Sequence, residues 1–349
     1  MQSCSEPLDE RKQIILKAVV HDYTSTAVPV SSEMLAYRYR LGVKSATIRN
    51  EMAEMVDLGY LRQPHTSAGR VPSDMGYRFY VDRLISGPGL SSTEEETVAR
   101  SYGQATAEIE SILDLTCRIL SSLTQYASVA TETLAEEVSV RHISLSALGP
   151  RKLLLALVVS DGRVEHTIID LPSPVTDRKL QRLYRTLSGQ FVGCRLGGLM
   201  SSGFDFEPPE AAGALEEYRI LVKALRQLAR EARSGQVHLD GAANVLSQPE
   251  FRDLKRMEAL LAVLEQRKAL AETVNAALAS SETTIIIGSE NAYSTMRDCS
   301  LVSAHYSIAD RPCGAVGVIG PTRMNYRRAV AAVNLLARSL SELLTSISE

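Results

Sequence analysis

The chain runs to 349 residues, 45% hydrophobic and 23% charged, a globular composition too long for one ordinary domain. A formal net charge of −3 excludes a general polycation, so any nucleic-acid contact must come from a local patch. Five scattered cysteines (Cys4, Cys117, Cys194, Cys299, Cys313) form no C-x-x-C pair and read as reduced thiols of a cytoplasmic protein. No apolar run is read as membrane-spanning, and Met1–Pro7 carries no signal-peptide core, so no membrane contact is expected.

Ile14, Ile15, Ala18 and Val19 make one helical stripe within residues 8–23. Ser31 or Ser32 is placed to cap a short second helix through Met34, Leu35 and Arg38, and Leu41-Gly42-Val43 is a turn. Ser45 is expected to cap a third helix with Ile48, Met52, Met55 and Val56 inward, closed by Gly59. Residues 60–63 and 70–72 flank a six-residue tip, Pro64 to Gly69, as a hairpin. Ser73 then caps a helix carrying Tyr77, Tyr80, Val81 and Leu84. Helix, helix-turn-helix and hairpin in that order give the winged helix-turn-helix plan over residues 1–85.

Residues 86–92 are a linker by composition, and Thr93 with Glu96 reads as a capping box. Apolar residues at steps of three and four from Val98 to Ala130 predict one long helix that packs on its own domain or pairs between subunits. Strand periodicity follows over 143–147, 153–159 and 164–171, then a helix over 177–187. Apolar stripes at Tyr218–Ala232 and Leu254–Leu264 predict helices in need of a partner surface. Strands return at 284–287, 301–306 and 315–319, and a helix over 325–347 ends the chain. This order suggests one sheet domain interrupted by an insertion.

Chemistry concentrates near the N-terminus. No carboxylate occurs between Glu33 and Glu51, or between Asp57 and Asp74, whereas those gaps hold Arg38, Arg40, Lys44, Arg49, Arg62 and Arg70. A helix start and a hairpin tip cleared of negative charge suit an approach to DNA phosphates. On the third helix Thr47 can touch a thymine methyl, Arg49 can fork onto guanine and Asn50 can pair with adenine. Lys44 and Ser45 lie where the helix N-terminus would meet phosphate. In the hairpin, His65, Thr66, Ser67 and Arg70 can donate to phosphate or enter the minor groove, with Gly69 permitting the approach. Enzyme signals are poor. The six histidines have no metal-ligand spacing, and neither a nucleophile elbow nor a phosphate loop occurs, so no catalytic residue, metal or cofactor is expected. Gly314, Gly317 and Gly320 read as close packing around a strand, and Glu290-Asn291 as a polar turn.

The block Ser45-Ala-Thr-Ile-Arg-Asn-Glu-Met52 resembles the HrcA family of bacterial heat-inducible transcription repressors, as do Leu58-Gly-Tyr-Leu61, Gln63-Pro-His-Thr-Ser-Ala-Gly-Arg-Val-Pro72 and Gly76-Tyr-Arg-Phe-Tyr-Val-Asp82. Gly288-Ser-Glu-Asn291 and Gly317-Val-Ile-Gly-Pro-Thr-Arg-Met-Asn-Tyr326 are similar to the same family's C-terminal signatures. The resemblance implies a multidomain α+β protein. Its parts would be a winged helix DNA-binding domain (1–85), a GAF-like antiparallel sheet domain (93–190 and 270–349) and an inserted, largely helical dimerising domain (191–269). It further implies a homodimer on a double-stranded inverted-repeat operator upstream of chaperone genes, modulated by the GroE-type chaperonin. A metabolite-sensing regulator switched through the GAF-like domain is the competing expectation, marked by a convergent polar pocket there.

Overall fold

The computed structural model describes residues 8–40, 42–65, 68–103, 108–132, 138–160, 162–200, 215–233, 237–279, 283–309 and 311–348. The chain divides into two compact units: Met1–Thr131 with Val237–Glu349, and Glu132–Gln236.

The first unit opens with α1 (Glu10–Thr26), capped by Asp9, whose carboxylate accepts from the Lys12 amide over 2.8 Å. Next comes α2 (Ser32–Tyr39), where Ser31 Oγ accepts from the Met34 amide. The third helix, α3 (Ser45–Asp57), does not use Ser45 as its cap. The Thr47 and Ile48 amides bond to the Lys44 carbonyl, which makes Lys44 the cap and leaves the first turn without a side-chain acceptor. Ile15, Leu16 and Val19 of α1 pack with Leu35 of α2 and with Ile48, Met52 and Met55 of α3 in one buried cluster.

Gly59, with φ at +84°, turns the chain out of α3 into β1 (Leu61–Arg62), which pairs antiparallel with β2 (Val71–Pro72). A third segment joins this hairpin: Val30 and Arg70 exchange backbone hydrogen bonds of 2.9 and 2.8 Å. Helix α4 (Asp74–Phe79), capped by Ser73, runs on as a π-turn through Tyr80–Leu84.

The single long helix expected over 98–130 is two helices and a strand. Helix α5 (Ser92–Tyr102) begins at a Ser91/Glu94 capping box, two residues before the expected pair, and is capped at its end by Gly103. Helix α6 (Ile109–Thr124) ends at Gln125 in the left-handed conformation, and β3 (Ala127–Glu132) follows. The apolar spacing survives across the break because β3 is buried on both faces, and continuous burial has no period to distinguish it from a helix.

The second unit holds the three-stranded antiparallel sheet of β4 (Val140–Gly149), β5 (Lys152–Val159) and β6 (Val164–Asp170). With it go α7 (Asp177–Phe191), α8 (Leu196–Met200) and α9 (Leu215–Arg233). Leu153, Leu155, Leu157 and Val159 alternate onto one face, closed by Leu183, Leu187 and Phe191 of α7 and by Tyr218, Leu221, Leu225 and Leu228 of α9. The insertion is therefore 132–236 rather than 191–269. Its strands, assigned from sequence to the larger sheet domain, share a core with α7 and α9. The Tyr218–Ala232 stripe already has its partner inside this unit.

The chain returns to the first unit through β7 (Val237–Asp240), α10 (Ala242–Leu246), α11 (Leu254–Glu265) and α12 (Arg267–Val274). Then come β8 (Thr284–Ile287), β9 (Cys299–Ile308), β10 (Arg311–Pro321) and α13 (Tyr326–Ser348). The sheet order is β7-β3-β10-β9-β8. Gly314 fits the close-packing reading, since a Cβ there would stand 2.0 Å from the Thr131 carbonyl oxygen. Helix α13 is long and apolar enough to cross a membrane by length and composition, contrary to the sequence reading. Here Ala332, Val333, Leu336, Leu340 and Leu344 of this helix are buried, and it packs on β9 and β10.

Within the first unit, the N-terminal head is fastened to the sheet by the two C-terminal signatures. Arg78 of α4 donates from Nε to Glu290 over 2.8 Å and from Nη2 to the Ile285 carbonyl over 2.6 Å. Asp74 accepts from the Ser289 amide over 2.9 Å, and the rings of Tyr77 and Tyr326 lie 5.6 Å apart. Buried Arg323 ion-pairs with Glu250 and donates to the Thr24 carbonyl at the end of α1 over 2.6 Å.

Candidate nucleic-acid interface

With Ile48, Met52 and Met55 committed to the core, the 3.6-residue period turns Ala46, Arg49, Asn50 and Ala53 of α3 to the surface. Thr47 and Ser45 are half-buried beside them, and Lys44 is exposed at the helix start. The first-turn amides of α3 have no side-chain cap, so this end keeps unsatisfied donors next to Lys44.

Two of the acids of α3 are paired with α1. Glu51 and Glu54 meet Lys12 of α1 at 2.9 and 3.1 Å, and Glu51 also meets Arg11 at 3.3 Å. Hydrogen bonds that Lys12 donates to Asp9, Glu51 and Glu54 push its ammonium well above its ordinary range. Arg38, counted from sequence among the basic residues of this region, is tied to the fully buried carboxylate of Asp22 over 2.7 Å. Tyr39 also donates to Asp22, over 2.8 Å, and burial with this bond pushes its phenol up to about 12.

On the hairpin His65 is exposed, whereas Gly69 and Arg70 are half-buried. Thr66 and Ser67 lie outside the described residues. Gly69 serves the fold: a Cβ there would fall 2.4 Å from the Val30 carbonyl oxygen, so only glycine lets the two backbones meet. Arg70 is held through its backbone by Val30, its Nη1 reaches the Ala68 carbonyl at 3.3 Å, and its buried Nε has no hydrogen-bond partner.

Between the start of α2, α3 and the hairpin lies a groove of about 340 Å³ lined by Ser31, Glu33, Arg49, Gln63, Gly69 and Arg70. The structure thus brings Arg49 and Arg70 to one groove, with Lys44, Thr47 and Asn50 on the α3 surface. Sequence reasoning missed Glu33, which ion-pairs with Arg49 across the groove. A bond at its own amide, and then Arg49, hold its carboxyl below the usual range. The signal was present as the acid that bounds the first charge gap.

Elsewhere Asn291 is a buried turn residue, donating to the carbonyls of Gly288, Met296 and Cys299 at 2.9–3.1 Å. Burial pushes the Cys117 and Cys299 thiols up to about 12, which leaves them poor nucleophiles. No group of three or more potential metal ligands occurs among the described residues.

Residues 110–330 match the family model described as HrcA protein C terminal domain. The heat-inducible transcription repressor HrcA of Moorella thermoacetica is 40% identical over 349 residues, covering 97% of this chain and 99% of that one. That of Carboxydothermus hydrogenoformans is 37% identical, and that of Pelotomaculum thermopropionicum 35%, each covering 97% of this chain and 98% of its own. A crystal structure described only as that of a hypothetical protein shares the fold, with a TM-score of 0.58 at 22% identity, covering 98% of this chain and 100% of that one. These sequence relatives are transcription repressors, a class of regulators rather than enzymes. The chain belongs to the HrcA family of heat-inducible transcription repressors.

Proposed function

We propose that residues 8–85 form a winged helix-turn-helix head that reads an inverted-repeat operator upstream of chaperone genes. The observation that carries this reading is the acid-free first half of α3, Ser45 to Asn50, uncapped at its start and flanked by the hairpin. In this reading Arg49 and Asn50 contact base edges and Thr47 a thymine methyl or a phosphate. Lys44, the Ser45 amide, His65, Thr66, Ser67 and Arg70 meet the phosphates. Gly69 contributes by holding the hairpin against Val30.

The repressor acts as a cytoplasmic homodimer joined through the insertion, because two heads are needed to match two half-sites. The face of β4–β6 turned away from α7 and α9 is the surface best suited to this. It presents Leu154, Ala156, Val158, Val164, Ile168 and His166 with Ser144 and Ser146, and no carboxylate, lysine or arginine at these positions. The five-stranded sheet with α6 and α13 corresponds to the GAF-like domain. The GroE-type chaperonin raises the active fraction by capturing opened chains whose apolar helices, such as α9, are transiently exposed.

The test is a gel shift with inverted-repeat against scrambled duplex at one salt concentration. Equal affinity for both would end the sequence-specific reading.

A second reading, a metabolite sensor, has one observation in its favour: an open polar hollow of about 440 Å³ with His305, Asn334, Arg338 and Ser341 between β9 and α13. A metabolite that binds there would raise the melting temperature and change operator affinity together.

A further inference from the structure

The groove that holds Arg49 contains one carboxylate, Glu33, on the first turn of α2. Its placement is selective. Of the three acids carried by α3, Glu51 and Glu54 are drawn to Lys12, Asp57 stands at the helix end outside the groove lining, and Asp22 is buried under Arg38. Glu33 alone among the groove-lining residues faces the nucleic-acid side with a negative charge, and its partner is the side chain best suited to reading guanine. We propose that Glu33 is a specificity-determining residue: it parks Arg49 in the free repressor and on random DNA, and gives it up only to a base edge. This rests on the reading of Arg49 as a base contact.

The physical case is a competition between acceptors. Both partners are exposed, so the ion pair is weak and reversible, equivalent to a factor of up to about five in an equilibrium constant. A single phosphate offers Arg49 a contact of comparable strength in water, so on random DNA there is little reason to leave Glu33. A guanine edge offers two acceptors in a fixed fork, together with exclusion of water, and discriminates by about ten- to a hundredfold. The acid therefore silences a contact that every sequence would otherwise enjoy, while leaving the operator contact available. Arg70 lines the same groove without an ion pair to Glu33 and remains a general cation.

The experiment is a double-mutant cycle of wild type, Glu33→Gln, Arg49→Ala and the pair. Each is titrated against the tightest duplex recovered from a randomised library and against the same duplex scrambled, over a salt series. Glu33→Gln should tighten scrambled DNA about two- to fivefold. The salt slope on scrambled DNA should steepen by about 0.9, one added phosphate contact, and by clearly less on the selected duplex. In the Arg49→Ala background the same change should do nothing to scrambled DNA. A gain that persists without Arg49 would be a general charge effect and would overturn the parking role. Loss of the selected duplex with no gain on scrambled DNA would make Glu33 itself a base reader and overturn it too. If Arg49→Ala binds the selected duplex as wild type does, the base-contact reading fails first, a result the cycle separates from the other two. Melting temperatures of all four chains confirm that the comparison is between folded proteins.

Discussion

Arg78 on α4 and Glu290 beyond β8 are 212 residues apart in sequence and joined by a 2.8 Å hydrogen bond from Nε to Oε1. The same guanidinium reaches the Ile285 carbonyl, so one side chain of the head holds both β8 and the turn that follows it. Arg78→Ala should therefore destabilise the first unit by about 1.5–3 kcal/mol in denaturant unfolding, the range for hydrogen bonds to charged groups. Cleavage in 86–91 during limited proteolysis should rise with it. An unchanged midpoint and digestion pattern would mean the contact is ornamental.

Arg323 is the stronger fastening because it is buried, with Glu250, Gln248 and the Thr24 carbonyl as its partners. Removing it strands a carboxylate with no cation. Arg323→Ala should cost about 3–5 kcal/mol. Arg323→Lys should recover only part of this, since an ammonium has no planar fork to span Glu250 and Gln248. Chemical denaturation of the three chains side by side decides it, and equal stability of the Lys and wild-type chains would refute the geometric argument.

For the interface, Arg49→Ala and Asn50→Ala should each weaken operator binding by about 1–3 kcal/mol and leave random DNA nearly untouched. Lys44→Ala and Arg70→Ala should weaken both and lower the salt slope by about one unit. Titrations at several salt concentrations separate the two patterns. A uniform loss from Asn50→Ala would reassign it to the backbone.

Ile168 stands 58% exposed on the open face of the insertion's sheet, so a charge there is tolerated by the monomer. Ile168→Glu should shift sedimentation from dimer to monomer without lowering the melting temperature of the isolated protomer. A dimer that persists would move the interface off this face.

The Glu94 carboxyl is pushed down to about 2 by its hydrogen bond from Arg328, then by the Ser91 amide and hydroxyl. A depressed carboxylate contributes stability that is complete above its ordinary pKa of 4.5 and fades as pH falls toward 2. Glu94→Gln should therefore flatten the acid limb of the stability curve in that window, and a curve superimposable on wild type would exclude the contribution.

Much of the head was legible in sequence because its signals are local. Ile48, Met52 and Met55 fall on one helical face, Gly59 sits at a left-handed turn, and Ser31 and Ser73 cap as their spacing suggests. What escaped was non-local. Nothing near Val30 announces that it will pair with Arg70, and without that bridge Gly69 looks like an opening for DNA. The insertion boundary was misjudged because alternation in β5 marks a buried face without saying which helices bury it. The fastening roles of Ser289, Glu290 and Arg323 had no local signal because their partners, Asp74, Arg78 and Thr24, lie more than two hundred residues upstream.

The pairing of Tyr77 with Tyr326 sets an order of events during synthesis. Helix α4 is made long before α13, yet the ring that covers buried Tyr77 belongs to α13. A nascent chain lacking α13 carries a head whose underside is open, along with the unfilled face of β9. The interval between making the head and making α13 is thus one of exposed apolar surface, and it lengthens whenever translation slows. A covered Tyr77 thus depends on a residue 249 positions downstream of it.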